Sequence, residues 1–175
     1  MSKKILIINF VLFQLGWFAC VLGAAYGVPW WAFLCAVVIV GGQLVYAQQV
    51  KPALALIVIS VIVGGMLDQI LLNHQLLQYQ SHGWSSRVVP VWILGLWMLF
   101  ASTLNVSLRW LREYPMVAAL FGAIGGPLAY LGAAKLGAVF ILQTPLSYGV
   151  LSVAWALMML FLITLSKKFD GYAHV

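Results

Sequence analysis

Apolar residues run through this chain in six long blocks separated by short polar breaks. The blocks cover about 5–25, 30–46, 53–77, 89–108, 116–136 and 146–166. A hydrocarbon core of about 30 Å takes about 20 apolar residues as a helix. Barrel strands would instead alternate polar and apolar positions over about ten residues. The pattern therefore predicts an all-α fold, a polytopic membrane helix bundle of about six transmembrane helices in one integral membrane domain over 1–175. Pro29, Pro52, Pro115 and Pro145 stand at or just before block starts. Proline fits the first turn of a helix and pushes the preceding residue out of the α region. The longest polar break is Ser81–Ser86.

Composition strengthens this reading. Of 175 residues, 65% are apolar and only 7% charged, against roughly 25% charged in soluble domains. A soluble globule and a disordered chain are excluded, and a nucleic-acid partner is not expected despite a net charge of +6. The basic residues give an orientation instead. With the N-terminus inside, Lys3, Lys4, Lys51, Arg109, Arg112, Lys167 and Lys168 fall on the inner side, and Arg87 and Lys135 on the outer. Both termini are then expected in the cytoplasm, with anionic membrane lipids as partners. The first block is too long for the apolar region of a signal peptide, about 7–15 residues, so it reads as a retained span.

Polar groups inside a membrane are costly, so they are where function is sought. Asp68 is the only acidic residue within a block. It lies about 24 Å along the helix from Pro52 at 1.5 Å per residue, in the outer part of the bilayer. Gly64 and Gly65 share its face, which turns Asp68 into the bundle. Two readings stay open. Asp68 forms an ion pair with Lys135 or Arg87 that locks two helices, or Asp68 and His74 floor an outward-facing polar pocket. Gln14 and Trp17 lie at mid-depth in the first block, and Trp97 and Trp155 near the middle of theirs. Each buried indole N–H needs a partner or a polar cavity. Tyr79 reads as part of an outer aromatic belt. Asn105 continues a polar stripe to Arg109 and Arg112, either a lipid-phosphate site or a snorkelling helix end.

Other features narrow the chemistry. Asn9, Gly16, Cys20 and Gly23 form a small-residue face in the first block, and Ala118, Gly122 and Gly126 another in the fifth. Pro127 predicts a kink there. Cys20 and Cys35 sit at similar depth and read as inert buried thiols, though a disulfide is within reach. His74, His82 and His174 have no metal-ligand spacing, and phosphate-loop, dinucleotide and nucleophile-elbow motifs are absent from the sequence, so neither a metal nor a cofactor is expected. An inverted triplet repeat finds only two conflicting matches, Leu15–Trp17 with Leu94–Trp97 and Leu22–Ala25 with Leu131–Ala134. Their conflict points to chance.

Three strings carry a resemblance. They are Asn9-Phe10-x-x-Phe13-Gln14-x-Gly16-Trp17-Phe18-Ala19-Cys20-Val21, Trp97-x-x-Phe100-Ala101-x-Thr103-Leu104-Asn105-x-Ser107-Leu108, and Gly125-Gly126-Pro127-Leu128-Ala129-Tyr130 followed by Leu136-Gly137-Ala138. Together they resemble the domain of unknown function 2878 family. The resemblance implies a bacterial multi-pass inner-membrane protein and carries over no activity. Function then divides into classes. One is a small membrane-embedded binding, transport-related or accessory protein, with Gln14, Trp17, Asp68, Trp97, Asn105, Tyr130 and Lys135 as ligand-binding candidates. Such a protein could also bind a membrane-protein partner or a second copy of itself. The alternative is an enzyme on a lipid or isoprenoid substrate, with Asp68 and His74 as acid–base groups.

Overall fold

The computed structural model describes residues 2–172. Six α-helices follow one another: α1 Lys3–Ala25, α2 Pro29–Leu44, α3 Val50–Asn73, α4 Val91–Leu104, α5 Pro115–Lys135 and α6 Thr144–Lys168. Two short strands, β1 Leu77–Tyr79 after α3 and β2 Val139–Ile141 after α5, pair antiparallel. Four helices, α1, α3, α5 and α6, are long and apolar enough to cross a membrane. The chain is an all-α membrane bundle. The shorter helices depart from the expected blocks. α4 stops at Leu104, where the fourth block was expected to reach 108, and the chain turns into a 3₁₀ segment at Arg109–Glu113. The side chains of Asn105 and Ser107 are spent on partners outside this helix, so the polar stripe ends it early.

Helix boundaries follow local chemistry. Pro29 and Pro115 open their helices at positions whose N–H would have no partner. At the other ends, α1, α3 and α5 close alike. A backbone bond runs from Val28 to Gly23, from Leu76 to Leu71 and from Ala138 to Ala133. The intervening residues Gly27, Gln75 and Gly137 are left-handed, at φ 76, 54 and 85°. Pro127 lies inside α5, which continues as helix on both sides of it.

α4 is the central helix. Ten of its fourteen residues are buried and none is exposed, and it packs against α1, α2 and α3. α5 and α6 form the closest pair. Gly122 and Gly126 let α5 lie directly on Trp155 of α6. Apolar side chains such as Ile7, Phe18, Ile62, Leu120 and Val153 remain exposed on the flanks, as lipid-facing residues do.

A repeat organises the second part of the bundle, and it is not the inverted triplet sought in the sequence. The units are α3–β1–α4 and α5–β2–α6. Gly64 and Gly126, Asp68 and Tyr130, Gln75 and Gly137, and Gln78 and Phe140 are each 62 residues apart. Under that shift the strand pair maps onto itself, since Leu77 pairs with Ile141 and Tyr79 with Val139. The flanking bonds also exchange: Gln80 N donates to Ala138 O and Leu142 N to Leu76 O, both at 3.0 Å. A local two-fold axis thus passes between Gln78 and Phe140. Both units keep the same direction, as in parallel transporter repeats.

At the far end from the strands, the C-terminal segment docks across the bundle. Arg112 is buried, pairs with Asp170 at 2.8 Å, and donates to Ser166 and Asn105. Arg109 reaches the same carboxylate at 2.8 Å. Tyr172 donates to the Gln43 carbonyl, and burial pushes its phenol above the ordinary tyrosine range. Arg112 is therefore committed to the fold and not held free for a lipid phosphate.

Candidate functional site

Asp68 is fully buried on α3, and three neutral donors close around it. Tyr79 donates to Oδ1 at 2.6 Å, Tyr130 donates to the same oxygen at 2.5 Å, and the Trp97 indole donates to Oδ2 at 2.7 Å. Every bond runs toward the carboxylate, the pattern that suits an acceptor-only group. The ion pair with Lys135 or Arg87 is not formed. Both cations are exposed at the strand end, and the ion pairs among the described residues are those of Asp170. The reason is geometric. The left-handed turn at Gln75 sends the chain back over α3, which brings Tyr79 rather than a cation to the carboxylate.

The donors sit where the repeat puts them. Tyr130 is the counterpart of Asp68, and the two meet across the axis. Trp97 lies over Gly64, Trp155 lies over Gly126, and the two indoles stack across the axis with centroids 4.9 Å apart at 11°. Trp97 finds a carboxylate. Trp155 approaches Tyr130, yet its shielded Nε1–H has no hydrogen-bond partner. An orphaned buried donor is uncommon.

Beside this cluster lies a cavity of about 400 Å³. It is bounded by α1 on one side and α5 on the other, with α4 and α6 between them. Gln14, Trp17, Asp68, Trp97 and Tyr130 line it, five of the sequence candidates, together with Trp155. Its rim carries Phe10, Phe18, Phe121 and Leu128, all 44–58% exposed on the long apolar helices. The cavity is thus aromatic inside and opens on a lipid-facing flank. Its size falls within the range of small-molecule sites, about 300–1,000 Å³.

Three other candidates stand apart. Asn105 is at the opposite end, donating to the Phe169 carbonyl and accepting from Arg112. Lys135 is exposed at the end of α5. His74 caps α3 and is exposed, so it does not share a site with the enclosed Asp68. His174 lies outside the described residues. Cys20 is buried and contacts the Ala32 carbonyl, while Cys35 is exposed, and both are free thiols. No cluster of metal-ligating side chains occurs among the described residues. Tyr79 was not among the sequence candidates. It becomes a partner of Asp68 only through the turn after α3, which local pattern does not reveal. Trp155 carried a signal, as an indole near mid-span.

A family model described as a protein of unknown function (DUF2878) matches residues 6–161. No curated protein and no solved structure matches the chain.

Proposed function

The chain belongs to the DUF2878 family, and we propose that it is a small membrane-embedded binding protein taking an apolar or amphipathic ligand from the lipid phase. One observation carries this reading: an aromatic cavity of about 400 Å³ that meets the lipid-facing flank between α1 and α5 and ends at the Asp68 cluster. The rim residues sit on helices that present apolar side chains to their surroundings. A ligand dissolved in the bilayer would enter without crossing water. Apolar walls with a few convergent polar groups are the usual make-up of such sites. The basic residues near the helix ends support both termini in the cytoplasm, and the family resemblance implies the inner membrane of a bacterium.

The test is a cavity-filling variant. Gly125 lines the cavity, and a Cβ there meets only Phe121, at 3.9 Å. Gly125→Phe projects a ring into the space and leaves the helix crossings untouched. Protein purified in a neutral detergent is extracted with organic solvent and its bound lipids quantified by mass spectrometry. Wild type is expected to retain a lipid species near one per chain, and Gly125→Phe to lose it with an unchanged melting temperature. Equal retention by both proteins would sink the proposal.

A further inference from the structure

Resting on the binding reading above, we infer that the cavity selects an amphiphile with a quaternary ammonium group. The cluster contains one carboxylate and no cation. Asp68 receives bonds only from phenols and an indole. The ion pairs among the described residues lie at the other end of the bundle, on Asp170. A carboxylate in that setting leaves an uncompensated negative field beside the cavity. A low-dielectric, water-poor wall screens such a field weakly.

The kind of cation follows from how the carboxylate is enclosed. Asp68 has no exposed surface, and three donors occupy most of its acceptor positions. A primary amine needs direct hydrogen bonds to repay its lost hydration, and the Asp68 oxygens are already taken up by Tyr79, Tyr130 and Trp97. A quaternary ammonium has no N–H to satisfy. It is held by aromatic faces and by charge acting at a distance. The cavity offers Trp17, Trp97, Phe100, Tyr130 and Trp155 for the head. Phe10, Phe18, Phe121 and Leu128 line the way out, where an alkyl tail would lie.

The same chemistry occurs in a choline-type lipid head and in a free alkylammonium. The experiment separates them. Tryptophan fluorescence of the full chain in a neutral maltoside is titrated with dodecyltrimethylammonium, with dodecylphosphocholine, and with a neutral tert-butyl isostere of the same chain length. Wild type should bind at least one quaternary ammonium about tenfold more tightly than the isostere, the ratio that a partly desolvated cation–π contact supplies. Preference for the phosphocholine assigns a lipid head, and preference for the bare cation assigns a free amphiphile. Asp68→Asn should lower the ratio to what the aromatic faces alone supply, while still binding the isostere. Equal wild-type affinity for charged and neutral probes overturns the inference and leaves the cavity reading standing. Saturable binding of none of the three overturns both. The wild-type comparison decides the matter even where Asp68→Asn fails to fold.

Discussion

Replacing Asp68 with Asn changes one atom and removes an acceptor from a site that has three donors. The amide oxygen can keep both phenols, Tyr79 and Tyr130, which now share Oδ1. The amide nitrogen then faces the Trp97 indole, which donates to Oδ2 at 2.7 Å in the wild type. Two donors meet, and each is left without a partner. An unsatisfied buried donor costs about 1–3 kcal/mol, so Asp68→Asn should destabilise by about 2–4 kcal/mol after partial relaxation. Trp97→Phe removes the indole donor as well as its packing on Gly64 and Trp155. In a double-mutant cycle the packing loss cancels, because it occurs with either residue at 68. The second substitution also relieves the donor conflict that the first creates. The coupling should therefore be about 1.5 kcal/mol, above the ~0.6 kcal/mol average for interhelical hydrogen bonds in membranes, because the acceptor is a carboxylate. The assay is equilibrium unfolding of the four purified proteins in mixed micelles, followed by far-ultraviolet circular dichroism. Additive effects, within about 0.5 kcal/mol, would refute the claim that Trp97 and Asp68 act as one unit.

Three further outcomes follow from packing, charge and backbone geometry. Gly64→Ala and Gly126→Ala each drive a methyl into an indole of the central stack, and should cost about 1–3 kcal/mol by overpacking; Gly41→Ala, which meets nothing within 4 Å, should be neutral or slightly stabilising in the same thermal-melt series. Arg112→Met leaves Asp170 with the partly exposed Arg109 and the Tyr172 N–H, and takes a donor from Asn105 and Ser166. It should cost about 3 kcal/mol and make the C-terminal segment more sensitive to limited proteolysis than it is in the wild type. Gln75→Gly relieves a left-handed residue at φ 54°, where its counterpart is already Gly137. It should stabilise by about 0.5–1 kcal/mol, and a lower melting temperature would count against the turn geometry.

Much of the architecture was legible because hydrophobic length is a strong signal. The α1, α3, α5 and α6 blocks map onto long apolar helices, and prolines in the first turns mark where α2, α5 and α6 begin. The early end of α4 was hidden, because Asn105 and Ser107 look like one more polar face until their distant partners, Phe169 and Asn9, are known. Asp68 announced itself as a lone acid in an apolar run, and the glycines beside it told which way it points. Its partners did not. Tyr79 reaches Asp68 only because Gln75 adopts a conformation that glycine usually supplies, and Lys135 at the matching depth looked the better mate. The repeat was invisible for a simpler reason. From Val63 to Tyr79, Gly64 alone keeps its residue at the position 62 further on, so only geometry relates the two units.

That near-complete loss of identity bears on what the bundle centre does. A two-fold arrangement places equivalent residues face to face on its axis, and two carboxylates there would repel across a few ångströms in a dry interior. Asp68 opposite Tyr130 removes that conflict, since the phenol that replaces the second acid donates to the first. The same substitution breaks the symmetry of the indoles. Trp97 has a carboxylate to serve, and Trp155 has only a phenol already turned toward Asp68. Symmetry thus supplies the stacked wall and the close helix crossings, while asymmetry supplies one hydrogen-bonded acid and one idle donor. The cavity lies beside both. Restoring symmetry would therefore test what the asymmetry is for. Tyr130→Asp should place two acids on the axis, so that one must hold a proton and bind the other in its place. Trp155 would gain an acceptor, and because one negative charge remains beside the cavity, the quaternary probe should still bind more tightly than the neutral isostere while the melting temperature falls.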